Sequence, residues 1–269
     1  MRHVVDSLRL VAFQRAAVEA VLAGALGGVV GAHVLVRRLP FFVVAMSHAT
    51  FPGIVLASLV GVSLFVGGAA FALVVVAVIT GLGVLTELDD TSLTGVVLAG
   101  GFAVGVVILS ARPGGSRDLS AFLVGSILNV TRSDIATTAS IGGVLVIGLV
   151  GLHKELVLGA FDPGGSAALG YPTAALDAAV LAAVAVAMVV MVPAVGTLLA
   201  VALLTVPALA ARQWTDRMGR LMVLAACFGA ASGVLGLVAS AVWRVAAGGA
   251  IALAAAALFA VSATVSRRD

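Results

Sequence analysis

One histidine, His48, stands within FFVVAMSHATFPGIVLASLVG, residues 41–61, where no other side chain ionises. An imidazole inside an apolar run long enough to cross a membrane is costly unless it meets water, a partner or an ion, which makes His48 a candidate site in itself. Pro52 follows four residues later and removes a backbone donor. With Gly53 beside it, the pair is expected to break the helix and free carbonyls that neighbours or a polar path must satisfy. The segment therefore reads as a helix lining a pathway, not as plain lipid-facing wall. A hydrogen-bonded structural histidine is the other reading of the same residue.

Other chemistry is excluded by residue type. A phosphate-cradling loop of the G-x-x-x-x-G-K-[ST] kind needs a lysine after glycine, and the only lysine, Lys154, follows His153. No HExxH pair is present, and neither a Ser-His-Asp set nor paired carboxylates can be assigned to one pocket, so the chain is expected not to be an enzyme. The one cysteine, Cys227, forms no intrachain disulfide and no cysteine-rich metal site.

The elements that position His48 follow from composition. Of 269 residues, 62% are hydrophobic and 10% charged, against about 25% charged in a soluble domain. This is the composition of a polytopic, all-α membrane protein built as one transmembrane domain, residues 1–269. Thirty-two glycines suit it, since small residues let transmembrane helices approach closely. The net charge of +3 comes from residues between apolar runs, which marks membrane flanks and excludes a nucleic-acid face. No cleavable signal peptide is expected from residues 1–14.

In order, His3, Asp6, Arg9 and Arg15 suit a short interfacial helix, and a first crossing is expected over Ala16–Val36, with Glu19 and His33 near its ends as interfacial residues. The apolar stretch Phe41–Leu85 is twice the roughly 20 residues of one crossing, so it must turn near Gly61–Gly68 and supply two. A fourth crossing spans Leu93–Ala111, with Thr91 or Ser92 as its cap. Leu119–Leu128 is too short to cross and is expected to be a surface or re-entrant helix. Further crossings are expected over Ile135–Leu152, Ala174–Val192, Val195–Ala211, Leu221–Val242 and Ala250–Val265. That makes about nine, or eight if the short Val195–Ala211 segment is re-entrant. Orientation is not legible from charge: with the C-terminus inside, Arg37, Arg38, Lys154, Arg212, Arg217, Arg220, Arg267 and Arg268 lie inside, eight of fifteen basic residues. Trp214 and Trp243 at segment ends suit the headgroup layer.

Several blocks, in order and spacing, resemble the integral permease subunits of ATP-binding-cassette importers for zinc, manganese and iron. They are FQRAAVEAVLAG, VVGAHVLVRRLPFFVVAMSHATFPGIVLA, DDTSLTGVVLAGGFAVGVVILS, DLSAFLVGSILNVTRSDI, HKELVLGAFDPGGSAALGYP and PAVGTLLAVALLTVPALAARQWTDRMGRLM. Together they cover nearly the whole chain. The resemblance implies a vitamin-type (type II) importer fold in which two copies of the permease form a pathway, cytoplasmic ATPase subunits holding ATP drive it, and an extracytoplasmic binding protein delivers the divalent ion, which this chain holds only in transit.

It also implies that the loop after the fifth crossing is cytoplasmic and that Phe161–Gly170 is the segment that docks on the ATPase. The residues themselves suit this: Phe161, Asp162, Pro163, Ala167, Ala168, Leu169 and Gly170 make a short small-residue helix, with Asp162 or Ser166 as its cap. The C-terminus is then cytoplasmic and, with nine crossings, the N-terminus extracytoplasmic, in the inner (plasma) membrane. In the pathway helix, Ser47, His48, Pro52 and Gly53 match the family pattern. The family aspartate four residues before the histidine does not: Val44 stands there. His48 is left as a lone transient contact, or as a ligand completed from other helices or from the second copy. Imidazole suits zinc, iron and manganese in differing degree and does not choose among them. A permease for a metal chelate or vitamin shares the fold, and a non-transporting membrane scaffold is the alternative of another class.

Overall fold

The computed structural model describes residues 11–86, 90–111 and 127–266 of the chain. Among them every regular element is helical: α1 (Val11–Val36), α2 (Pro40–Ala49), α3 (Phe51–Val60), α4 (Leu64–Leu85), α5 (Asp90–Ser110), a 3₁₀ turn (Ile127–Asn129), α6 (Arg132–Gly151), α7 (His153–Phe161), α8 (Pro163–Ala168), α9 (Thr173–Val195), α10 (Thr197–Arg212), α11 (Met218–Trp243) and α12 (Ala247–Val265). The apolar runs have no strand-like alternation, and in hydrocarbon a helix satisfies its own backbone. The interfacial helix expected around residues 3–15 falls largely outside the described residues. So does the short helix expected over Leu119–Leu128, apart from its end, which forms the 3₁₀ turn.

Among the described residues eight helical segments are long and apolar enough to cross a membrane, α2 and α3 counting together as Pro40–Val60. The ninth, α10, has 16 residues. At 1.5 Å per residue it is about 24 Å long, short of a hydrocarbon core of about 30 Å. Its start is also unlike the expected break at Pro193 and Ala194: α9 runs through Pro193 to Val195, and Gly196, with φ of 86°, opens α10.

The chain divides into two compact units. The first holds α1, most of α6, and α10 to α12. Its core is a backbone-to-backbone seam. A Cβ built on Gly24 would lie 2.3 Å from the Gly229 carbonyl oxygen, and one on Gly28 would lie 2.2 Å from that of Ala225. Both contacts join α1 to α11. Gly27 and Gly31, a quarter-turn round α1, meet the carbonyls of Leu203 and Leu204 on α10 in the same way. Two glycine pairs at i, i+4 thus let α1 lie against two neighbours at once, the close approach by which small residues hold transmembrane helices together. The α10 end is tied to α12: the Trp214 indole N–H donates to Ser262 Oγ, whose hydroxyl donates to the Ala210 carbonyl at 2.8 Å.

Two expectations fail in this unit. Glu19 and His33, placed at the interfaces by sequence, are both buried, Glu19 completely. The reason for Glu19 is lateral: it is only about 12 Å along α1 from Val11, but neighbouring helices enclose its side chain, with the Thr138 hydroxyl of α6 donating to its Oε1 at 2.7 Å.

The second unit holds α2 to α5, α7, α8 and α9 up to Val189, with the end of α6. The turn expected at Gly61–Gly68 is made by Gly61, whose φ of 76° closes α3. The chain then doubles back so that α4 lies on α3, with Gly53 and Gly67 in mutual backbone contact: a Cβ on Gly53 would meet the Gly67 carbonyl oxygen at 2.4 Å.

Candidate functional site

His48 lies in the last turn of α2, half-buried, immediately before a break in the crossing. The break is at Thr50, two residues ahead of the expected Pro52–Gly53 pair, with Pro52 inside the first turn of α3. The physical cause is still Pro52, because it has no N–H for the His48 carbonyl and its ring crowds that carbonyl. Local groups repair part of the loss: Thr50 Oγ1 donates to the Met46 carbonyl at 3.0 Å, and the Gly53 N–H donates to the Thr50 carbonyl at 3.1 Å. Gly53 serves close packing against α4 and adopts no special backbone angle.

On α2 the covered residues are Phe42, Val43, Ala45, Met46, Ser47 and Ala49, while Phe41, Val44 and the half-buried His48 form the more open stripe at i, i+3, i+7. Val44 therefore occupies the position one turn before His48 on the same face, as helix geometry requires. Ser47 points elsewhere. Its hydroxyl is buried and donates to the Val44 carbonyl at 2.7 Å, so the structure does not bring it beside the imidazole as a second ligand.

The neighbour that sequence reasoning missed is Phe102 on α5. Its ring meets the His48 ring edge to face, with centroids 5.8 Å apart at 80°, and it also lies 5.9 Å from Phe51. Glycines make this possible: a Cβ on Gly101 would sit 3.3 Å from Ala49 Cα, and one on Gly105 would sit 2.5 Å from Phe51 Cδ1. The stretch GGFAVG, residues 100–105, was the available signal, since glycines one turn apart around an aromatic mark a close helix contact. The resulting arrangement offers one imidazole on an open face, backed by aromatic rings. Among the described residues no three His, Cys, Asp or Glu side chains converge to hold a metal ion. An isolated imidazole beside a helix break suits brief contact with a cation better than retention, because passage needs a site weak enough to leave.

The second candidate region is Phe161–Gly170. α7 ends at Phe161, Asp162 caps α8, and its Oδ1 accepts the Gly165 N–H at 2.8 Å. Ser166, the other candidate cap, is buried inside the turn instead. α8 closes with the Tyr171 N–H donating to the Ser166 carbonyl and the Gly170 N–H to that of Ala167, the paired bonds of a Schellman motif. Gly170 carries the left-handed residue that motif needs, with φ of 83°, and space beside it is open. Pro163 starts α8, where its missing N–H costs nothing. Ala167 and Ala168 are exposed, as are Phe161 at 60% and Leu169 at 70%. A small capped turn thus presents exposed apolar side chains on a piece too short to span a bilayer.

Comparison with known proteins adds the following. The ABC 3 transport family profile matches residues 10–266. The manganese transport system membrane protein MntC of Halalkalibacterium halodurans is 32% identical over 254 residues, covering 93% of this chain and 85% of that protein. The zinc transport system membrane protein TroC of Treponema pallidum is 35% identical over 223 residues, covering 80% of this chain and 75% of its own length. Among solved structures, PsaBC from Streptococcus pneumoniae in complex with a Fab superposes with a TM-score of 0.85 at 28% identity, over 96% of this chain and 94% of that one.

Proposed function

This chain belongs to the ABC 3 transport family, and from that premise we propose that it is the membrane permease of an importer for a divalent transition-metal ion, manganese or zinc foremost. The fold is that of an ABC permease, and the relatives are transport subunits, not enzymes. The observation that carries the metal reading is His48: the ionisable side chain of the crossing lies on its open face, two residues before the break at Thr50.

In this reading a second copy of the chain completes the pathway alongside the open face of α2, and an extracytoplasmic binding protein hands over the ion. A separate ATPase subunit binds ATP and engages α8. The exposed Phe161 and Leu169, set on a Schellman-closed turn, supply the rigid contact through which an ATPase stroke would reach α7 and α9. The C-terminus is then cytoplasmic. Eight crossings put the N-terminus there too, and nine put it outside, so α10 decides it.

The test is uptake of labelled manganese and zinc into proteoliposomes holding this chain, alone and with the ATPase subunit and binding protein. Uptake is expected only in the complete assembly, and ATP hydrolysis only where the ATPase subunit is present. Hydrolysis by the single chain, or an assembly that moves neither ion, would overturn the proposal. Reporter fusions at both termini separate eight crossings from nine.

A further inference from the structure

Glu19 is the one carboxylate among the buried side chains of the described residues, and it is 0% exposed. It belongs to the first unit and has no part in the chemistry assigned to His48. Its Oε1 accepts the Thr138 hydroxyl at 2.7 Å, a contact between α1 and α6, and Thr138 is itself buried. Its Oε2 has no hydrogen-bond partner, and no guanidinium or ammonium stands in ion-pair contact with it among the described residues. A carboxylate so far from water demands a compensating charge.

We propose that Glu19 and Thr138 form an oxygen-lined site for a single positive charge, a sodium ion or a proton, inside the membrane span. The donor set decides the class. Carboxylate and hydroxyl oxygens are hard ligands, with no imidazole or thiolate to favour a transition metal. A monocation matches the single carboxylate that faces the site: Asp134, one turn before Thr138 on α6, turns its own carboxylate to the Thr131 N–H and hydroxyl at 2.9 and 2.8 Å, at the exposed start of that helix. Thr138, donating to Oε1, keeps its own lone pairs free to accept, so it can face a cation alongside Oε2.

The other charged groups near this end of the unit are few. They are Arg15 one turn earlier on α1, Arg132 and Asp134 on α6, and Arg244 at the close of α11. α10 carries no charge before Arg212, and α12 carries none. The inference rests on the membrane-spanning fold and not on which ion the permease carries.

The experiment is thermal unfolding of the purified full chain in lipid nanodiscs, with sodium chloride replaced stepwise by choline chloride at constant ionic strength, repeated from pH 5 to pH 8. A ligand held only by the folded state stabilises it by mass action. For a sodium site, Tm is expected to rise by about 2–4 °C with sodium at each pH. A proton site gives a similar rise as pH falls, indifferent to sodium. In either case Glu19→Gln, which keeps the shape and removes the charge, is expected to abolish the dependence, and Thr138→Val to shift it to higher sodium or lower pH. A wild-type Tm flat in both variables overturns the proposal without any variant. So does a dependence that Glu19→Gln leaves unchanged.

Discussion

α1 and the α2–α3 crossing have nearly the same share of their apolar windows buried, 72% and 67%, and are built on opposite rules. α1 is continuous, and its glycines at 24, 27, 28 and 31 bring bare backbone against α11 and α10. The α2–α3 crossing is interrupted at Thr50, keeps Phe41, Val44 and His48 uncovered, and is buttressed by an aromatic ring on α5. Burial therefore does not separate these two crossings; continuity of the backbone ladder and the chemistry of the uncovered face do. A glycine seam has no side chains to rearrange, so it resists sliding, whereas a broken helix already has fewer internal bonds to lose when it moves.

The most severe way to break this contrast is to place a side chain in the seam. Gly28→Leu forces atoms into the Ala225 carbonyl and is expected to cost more than about 3 kcal/mol, measured as loss of folded chain from the membrane fraction, while Gly143→Leu, in open space, leaves that yield unchanged. Next in size is the turn proposed to dock on the ATPase. Gly170→Leu must hold a left-handed residue at about 1–2 kcal/mol, and uptake by the assembled transporter is expected to fall at least about tenfold (about 1.4 kcal/mol) while the chain still inserts and the ATPase still turns over. Normal uptake would move the docking element to Arg212–Arg220.

Within the α2–α3 crossing the effects are smaller and chemical. His48→Ala is expected to lower metal uptake by about tenfold with insertion and basal hydrolysis intact. If that variant merely fails to fold, the imidazole belongs to the frame and the contrast collapses. Val44→Asp puts a carboxylate on the same open face one turn away, and is expected to slow release of bound metal several-fold, measured by washout after loading. The mildest change is Ser47→Ala. Its hydroxyl serves only the Val44 carbonyl, so uptake within about twofold of the parent is the expected result, since such local bonds are worth about 1 kcal/mol or less.

Much of the fold was legible because bilayer thickness translates directly into residue counts: apolar runs, the turn at Gly61 and the polar loop before Tyr171 all follow from one-dimensional pattern. The site was legible in part. His48 declares itself by being ionisable in an apolar segment, and Asp162 and Gly170 by the chemistry of caps. Phe102 did so only by half: the glycines around it mark a close helix contact, but its partner His48 is some fifty residues away and nothing local names it.

Sequence by itself determined that the chain is an all-helical polytopic membrane protein, that it carries no phosphate-binding loop of the G-x-x-x-x-G-K-[ST] kind, and that His48 is the one ionisable residue of its crossing, since each follows from composition, length or the absence of a needed side chain. Tertiary structure alone decided that Glu19 is sealed against Thr138, that Ser47 turns away from His48, that Thr50 is the break, and that glycines 24 and 28 meet α11 while 27 and 31 meet α10. The reason is common to all four. Distance along a helix sets depth, but whether a polar group at that depth meets water, lipid or another helix is set by which face a neighbour covers, and that neighbour is far away in the chain.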